Sequence, residues 1–244
     1  MSHLMISMRC VSHYISKGGH IVEEEDEETI VLITSVEKQK RSRYRYNIFL
    51  NELFAFSVHE DMLVKHRLLK GEYVNAARIE MIITEDEYHK AFMEALRFVG
   101  RRPRSRKEIE FKLAEKGYGE DAVSRTIQKL LEQKIIDDEQ FAHMWTEHRL
   151  FSQKKGRRWV QQELQQKGLS KEHIQEALSN VDEEAEFQAA YDTAKKKWAT
   201  IKGEPFERKH KLASFMLRRG YPSTMVNTVL KQVTGESLDE LDMI

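Results

Sequence analysis

A single cysteine, Cys10, stands among 244 residues, so neither an internal disulfide framework nor a thiolate metal cluster can be built. Only three prolines interrupt the chain, Pro103, Pro205 and Pro222, which permits long helices joined by short links. No run of about 18 apolar residues occurs, which excludes a membrane-spanning helix. The first residues lack the charged-then-apolar order of a secretion signal. Net charge is missing as well. Forty basic and forty acidic residues cancel, so nucleic acid would have to be held by a local patch rather than by overall charge. Enzyme signatures are absent: no GxxxxGKS/T phosphate loop, no GxSxG elbow, and no HExxH among ten histidines. The expectation is a soluble cytoplasmic protein with no catalytic residues, no cofactor and no metal site.

What is present points to several small units. Charged residues make up 33% and hydrophobic ones 40%, a lean supply for one deep core but adequate for stacked helical units. Residues 1–28 mix histidines, Gly18-Gly19 and an acidic run from Glu23 to Glu28 without any period, and read as a disordered, solvated tail. An alternative is a natural translation start at Val22. From Thr29 the pattern becomes that of strands: Ile30-Val31-Leu32-Ile33 and Val36 are apolar and largely β-branched, and Tyr44, Tyr46 and Ile48 alternate with Arg45 and Asn47. A turn near Asn51-Glu52 returns the chain through Phe54 to Val58. A helix is expected from His59 to about Lys70, with Leu63, Val64 and Leu68 on one face and Gly71 as its stop. Residues 29–83 thus form a small β-rich domain with one helix.

After Thr84 the chain reads as helical and it repeats. Lys116-Gly117-Tyr118, Lys167-Gly168-Leu169 and Arg219-Gly220-Tyr221 place their glycines 51 and 52 residues apart. Four residues before each glycine stand Leu113, Leu164 and Met216; eight before stand Ile109, Val160 and Leu212. That spacing makes one apolar helical face, ended by a cation and a glycine in the left-handed conformation. Val123, Ile174 and Val226, then Ile127, Leu178 and Leu230, then Leu130, Val181 and Val233, mark a second helix beyond the glycine. Ala91, Ala142 and Ala194 share an offset on a helix upstream. Each unit is therefore three helices in about 50 residues, too small to stand well alone. The expected fold is mainly α, an elongated array of three tandem three-helix repeats (84–136, 137–184 and 185–235) behind the β-rich domain, with a tail at 236–244.

The residues also resemble a known family. Arg104-Ser105-Arg106-Lys107-Glu108-Ile109 with Leu113 and Lys116-Gly117, Ile135-Ile136-Asp137-Asp138 with Phe141-Ala142, and Gly156 with Glu163-Leu164 and Lys167-Gly168 resemble the core of RecX proteins. Phe215 and Arg218-Arg219-Gly220-Tyr221 continue it more loosely. Tyr46 to Leu50 and Ala55 to Asp61 resemble the extra N-terminal region of longer members. No counterpart is found for residues 1–28. The resemblance implies a regulator, mainly an inhibitor, that docks on the RecA filament on single-stranded DNA and limits strand exchange and repressor cleavage; the oligomeric state is left open by the sequence, with a monomer the simpler expectation. It also implies direct DNA binding in some members, which leaves duplex DNA open as a partner.

Basic residues form a pattern of their own. Eleven positions before each repeat glycine stand Arg106, Arg157 and Lys209, at the expected start of the second helix. Around them lie Arg101, Arg102, Arg104 and Lys107; Lys154, Lys155 and Arg158; and Arg208 and Lys211. A helix start offers free N–H groups to anions, and a cation there opposes the dipole. Helix stability therefore does not explain the placement, and a binding stripe for phosphates or an acidic protein surface does. Weaker candidates are Lys38, Lys40, Arg41 and Arg43 in the first loop, Lys195, Lys196 and Lys197, Arg218 and Arg219, and Trp159, which follows two arginines and could stack on a base. Trp145 and Trp198 read as packing anchors, and Asp137-Asp138 as an N-cap and first turn rather than a metal dyad. An array on the order of 60 Å long could touch more than one filament protomer. Two other classes remain open: an operator binder with a helix in the major groove, and a helical scaffold for proteins unrelated to DNA.

Overall fold

Asn51 and Glu52 both hold positive φ, +44° and +72°, as a two-residue hairpin turn requires. They join β2 (Arg45–Leu50) to β3 (Leu53–His59) in this computed structural model, which describes residues 30–235. The expected tails, 1–28 and 236–244, lie outside the described residues, as does the start suggested at Val22. With β1 (Val31–Lys38) and the short β4 (Tyr73–Val74), these strands form an antiparallel sheet of order β3-β2-β1-β4. Ile33, Ile48, Leu50, Phe56 and Val58 fill one face, because residues two apart along a strand share a side. Met62, Leu68, Val74, Ile79 and Ile82 complete that core.

The helix after β3 is shorter than the sequence suggests. Here α1 spans Glu60–Lys65, and Arg67 at φ +49° turns the chain out of it. Leu68 is thereby buried while Val64, expected on the apolar face, is 74% exposed. Gly71 does not stop this helix: at φ +93° it turns the chain into β4, its N–H donating to the Ile33 carbonyl. The border expected at 83/84 falls inside a helix. One helix, α2, runs over Ala76–Val99 from its Asn75 cap, with no glycine or proline to break it. Its Ile79 and Ile82 lie in the sheet's core, and Ala91 and Ala95 are buried in its second half.

Beyond it come α3 (Arg106–Glu115), α4 (Glu120–Glu132), α5 (Asp138–Glu147), α6 (Arg157–Gln166), α7 (Lys171–Ser179), α8 (Glu183–Trp198), α9 (Pro205–Arg218) and α10 (Ser223–Thr234). They make three three-helix domains, α2-α3-α4, α5-α6-α7 and α8-α9-α10. The border set at 184/185 falls inside the first turn of α8, which Asp182 caps. The chain divides into two compact units, residues up to 101 with 110–130, and residues 102–109 with 131 onward. In the first, Gly119 N–H donates to Glu87, tying the start of α4 to α2, and Lys116 pairs with Glu94. In the second, Phe141, Ala142, Val160, Leu164 and Ile174 gather in one cluster, and Ala194, Leu212, Met216, Tyr221 and Val226 in another.

The repeat positions behave alike in every domain. Ala91, Ala142 and Ala194 are fully buried, as are Ile109, Val160 and Leu212, and Leu113, Leu164 and Met216. Gly117, Gly168 and Gly220 sit at φ +85°, +79° and +89°. Between α5 and α6 a π-helical turn, His148–Ser152, intervenes. Arg149 in it grips Glu163 of α6 through two bonds of 2.7 and 2.6 Å. Such a turn widens the helix by one residue and here precedes the sharp Lys154 at φ +53°.

Candidate functional site

In the second compact unit, the end of each repeat's second helix docks on the start of the preceding one. Ser105, just ahead of α3, donates its hydroxyl to the Lys167 carbonyl at the end of α6 (2.7 Å). Lys167 returns an ammonium to Glu108 (3.0 Å). One repeat later, Gly156 and Arg158 donate their N–H groups to the carbonyls of Arg219 and Gly220 (2.9 and 3.0 Å). The Tyr221 hydroxyl and the Arg219 guanidinium both donate to the Lys154 carbonyl. A Cβ on Gly168 would fall within the Lys107 side chain, and one on Gly220 within the backbone of Trp159. Gly168 and Gly220 therefore end a helix and also let the neighbouring domain approach, through the Lys107 side chain at the first and the Trp159 backbone at the second.

The same junctions settle the free N–H groups at the helix starts. Asp138, at the start of α5, accepts from Arg106 N–H (2.8 Å), and Glu186 of α8 accepts from Arg157 N–H (3.4 Å). These donors have no partner within their own helix. Glu186 is 1% exposed and also takes the Arg157 guanidinium through Nε (2.8 Å) and Nη2 (2.5 Å). That hydrogen bond holds the guanidinium above its usual pKa range, against desolvation. The cation at the start of α6 thus has a structural reason that the sequence did not disclose: it neutralises a buried carboxylate from the next domain.

The other basic candidates differ in exposure and in the partners that hold them. Glu108 collects Arg102 (3.1 Å), Arg104 (3.6 Å) and Lys167. Burial pushes its carboxyl up, but the Ser105 N–H and the cations outweigh that and hold it below the ordinary range. Arg208 lies 4.0 Å over the Trp198 ring and donates to that residue's carbonyl; Lys211 reaches Glu207 and the Lys202 carbonyl. Lys195 and Lys197 lie over Tyr191 and Phe215, and Arg219 shares Phe215. Lys196 and Arg218 are exposed, and Lys209 and Lys154 are half-buried. Arg101, Arg106, Lys107 and Arg158 are exposed, and Lys155 is half-buried with its ammonium 3.7 Å above the Trp159 ring.

Each tryptophan has a cation against its ring. Trp145 is stacked on Phe141 with Arg149 and Lys167 each at 4.3 Å, and Trp198 lies under Arg208. Trp159 alone is 39% exposed, with Lys155 over it. In the first unit, Lys38, Lys40, Arg41 and Arg43 are all exposed around the β1–β2 loop. Lys38 lies over Tyr46 and Arg43 over Tyr44.

Sequence reasoning missed a polar network in that unit. Asp86, buried on α2, binds Arg45 (3.0 Å), Lys90 (2.7 Å) and the His59 N–H (2.7 Å). Burial raises its carboxyl, and these partners overcome it and leave it below the usual range. No local motif marks it, because its partners come from two strands and a helix. Among the described residues, no helix is long and apolar enough to cross a membrane.

Comparison with known proteins agrees with this architecture along its length. Residues 31–75 match the regulatory protein RecX N-terminal domain. Residues 91–130, 137–178 and 183–230 match the first, second and third RecX three-helix domains. The regulatory protein RecX of Clostridium perfringens is 34% identical over 211 residues, covering 85% of this chain and 99% of its own. That of Halalkalibacterium halodurans is 34% identical over 86% of this chain and 81% of its own. A crystal structure of regulatory protein RecX aligns with a TM-score of 0.66 at 29% identity, over 84% of this chain and all of the other (100%). RecX from Lactobacillus salivarius, at 22% identity and a TM-score of 0.57, shares the fold over 62% of this chain and 98% of its own. With four consecutive domains matched in order, the chain belongs to the RecX family of regulatory proteins.

Proposed function

We propose that this chain, a monomer in the cytoplasm, regulates RecA by docking on the recombinase filament on single-stranded DNA. Docking limits strand exchange and repressor cleavage, and the chain performs no chemistry of its own. Membership of a family of regulatory proteins supports the regulatory part. The observation that supports docking is the pairing of roles at successive helix starts. At α3, Arg102 and Arg104 serve Glu108 while Lys107 is exposed; at α6, Arg157 serves Glu186 while Arg158 is exposed and Lys155 covers Trp159. Each junction thus spends some cations on its own carboxylates and presents others outward. Weak contacts repeated at such stations add through effective concentration, and the bound domains would block entry of duplex DNA or repressor.

The test is RecA-driven strand exchange with rising amounts of this protein, with binding to filament and to bare DNA measured in parallel. Inhibition below stoichiometric amounts, with the filament bound more tightly than bare DNA, is the expected result. Exchange unaffected at equimolar protein would sink the proposal. A second reading, contact with bare single strands, is favoured by the exposed loop cations Lys40, Arg41 and Arg43 beside Tyr44. Base stacking beside basic groups suits unpaired DNA. It predicts equal affinity for bare DNA and filament.

A further inference from the structure

At the end of β3 the chain brings together two imidazoles and a carboxylate that the proposed regulation does not use. Asp61 Oδ2 stands 3.2 Å from His59 Nδ1 and 3.5 Å from His89 Nε2. These separations match the edge of a tetrahedron, about 3.4 Å, around an ion held by bonds of about 2.1 Å. Candidate ligand atoms of all three residues lie within 4.8 Å of one another. His89 Nε2 is buried and makes no hydrogen bond. A buried polar atom without a partner calls for an explanation, and an ion is one.

The surroundings favour this reading. Asp86 organises the cluster from behind. It lies one helical turn before His89 and binds the His59 backbone N–H, so it ties the end of β3 to α2. It also takes up Arg45 and Lys90, the nearby cations that would repel an ion. The rings of His59 and His89 lie 4.5 Å apart, which restrains their rotation. Asp61 is exposed, leaving a fourth position toward solvent.

We infer that His59, Asp61 and His89 form a binding site for a divalent transition-metal ion, zinc by its ligand chemistry, clamping the end of β3 to α2. Two nitrogens and one carboxylate suit zinc or cobalt and disfavour magnesium and calcium, which prefer oxygen. The site departs from the expectation of no metal. Its ligands come from β3, α1 and α2, with His89 thirty residues from His59, where no HExxH-like spacing could show them.

The experiment titrates the full chain with Zn²⁺ against a chromophoric chelator, and with Co²⁺ by visible absorption, at neutral pH. Cys10, His13 and His20 in the first segment are potential ligands, so the decisive comparison is between variants. Expected are loss of one equivalent, or at least about tenfold weaker binding, in His89→Gln and in Asp61→Asn, with unchanged circular dichroism. Mg²⁺ should not compete. Asp61→Asn changes an exposed side chain and remains informative should His89→Gln fail to fold. Wild-type stoichiometry and affinity retained in Asp61→Asn, or no stoichiometric Zn²⁺ binding by the parent, would overturn the site.

Discussion

Arg157 shows how a side chain that belongs to a repeated pattern can also have a structural reason of its own. Its recurrence with Arg106 and Lys209 reads as a binding stripe, yet its guanidinium closes on Glu186, which is 1% exposed. Arg157→Ala leaves that carboxylate buried without a counter-charge, so it should cost about 3 kcal/mol or more in urea unfolding. Replacing both residues by leucine should recover most of that loss, since no buried charge then remains. A destabilised Arg157→Ala protein would bind its target poorly for the wrong reason, which makes this residue a bad probe of recognition. The buried carboxylates also set a pH dependence. Asp86 and Glu108 are both held below their ordinary pKa. Each therefore contributes stability that is present above its unfolded value, about 4, and is lost as pH falls through the lower folded value. Their contribution to the unfolding free energy should be flat near neutrality and decline below about pH 4. Asp86→Asn should flatten that acid limb while lowering stability at pH 7.

At the scale of helices and turns, the three repeat glycines are equivalent in sequence but not in surroundings. Gly117 has nothing within 4 Å of a would-be Cβ, whereas Gly168 meets Lys107 and Gly220 meets the Trp159 backbone. Gly117→Ala should cost only the left-handed backbone term, about 1–2 kcal/mol. Gly220→Ala must also push two domains' backbones apart and should cost clearly more, with Gly168→Ala between, because the lysine stem can move. Equal losses for Gly117→Ala and Gly220→Ala in urea titrations would contradict the docking role. The comparison also shows what was legible beforehand. Helix ends, apolar faces and the buried alanines of the three domains are local properties, and the spacing around each glycine announces them. The continuous α2 was not legible, because one helix serves the sheet through Ile79 and Ile82 and buries Ala91 and Ala95 further on. A change of partner leaves no mark when no helix breaker accompanies it. For the same reason the acceptors Asp138 and Glu186, and the cluster around His89, stayed hidden: their partners lie tens of residues away.

For the molecule as a whole, zero net charge means that any attraction to a polyanionic filament must come from where the cations are left after internal pairing. Candidates left outward at the helix starts include the exposed Lys107 and Arg158, with Lys155 over the Trp159 ring. Neutralising them together, Lys107→Gln, Lys155→Gln and Arg158→Gln, removes two exposed charges and the half-buried one that lies over Trp159. At about 0.5–1 kcal/mol per screened contact, filament affinity should fall roughly tenfold to a hundredfold. The slope of log affinity against log salt should become shallower by up to about two, near 0.7 for each lost phosphate contact on a single strand. Urea stability should stay within about 0.5 kcal/mol of the parent, as is usual for surface substitutions. Were the contacts made instead to carboxylates on the recombinase, the loss of filament binding would persist while binding to bare DNA stayed as it was. Measuring the triple variant on both substrates at several salt concentrations therefore separates phosphate recognition from protein recognition. Unchanged filament affinity, in a variant that folds normally, would remove the helix starts from the binding surface and leave the β1–β2 loop as the station to test.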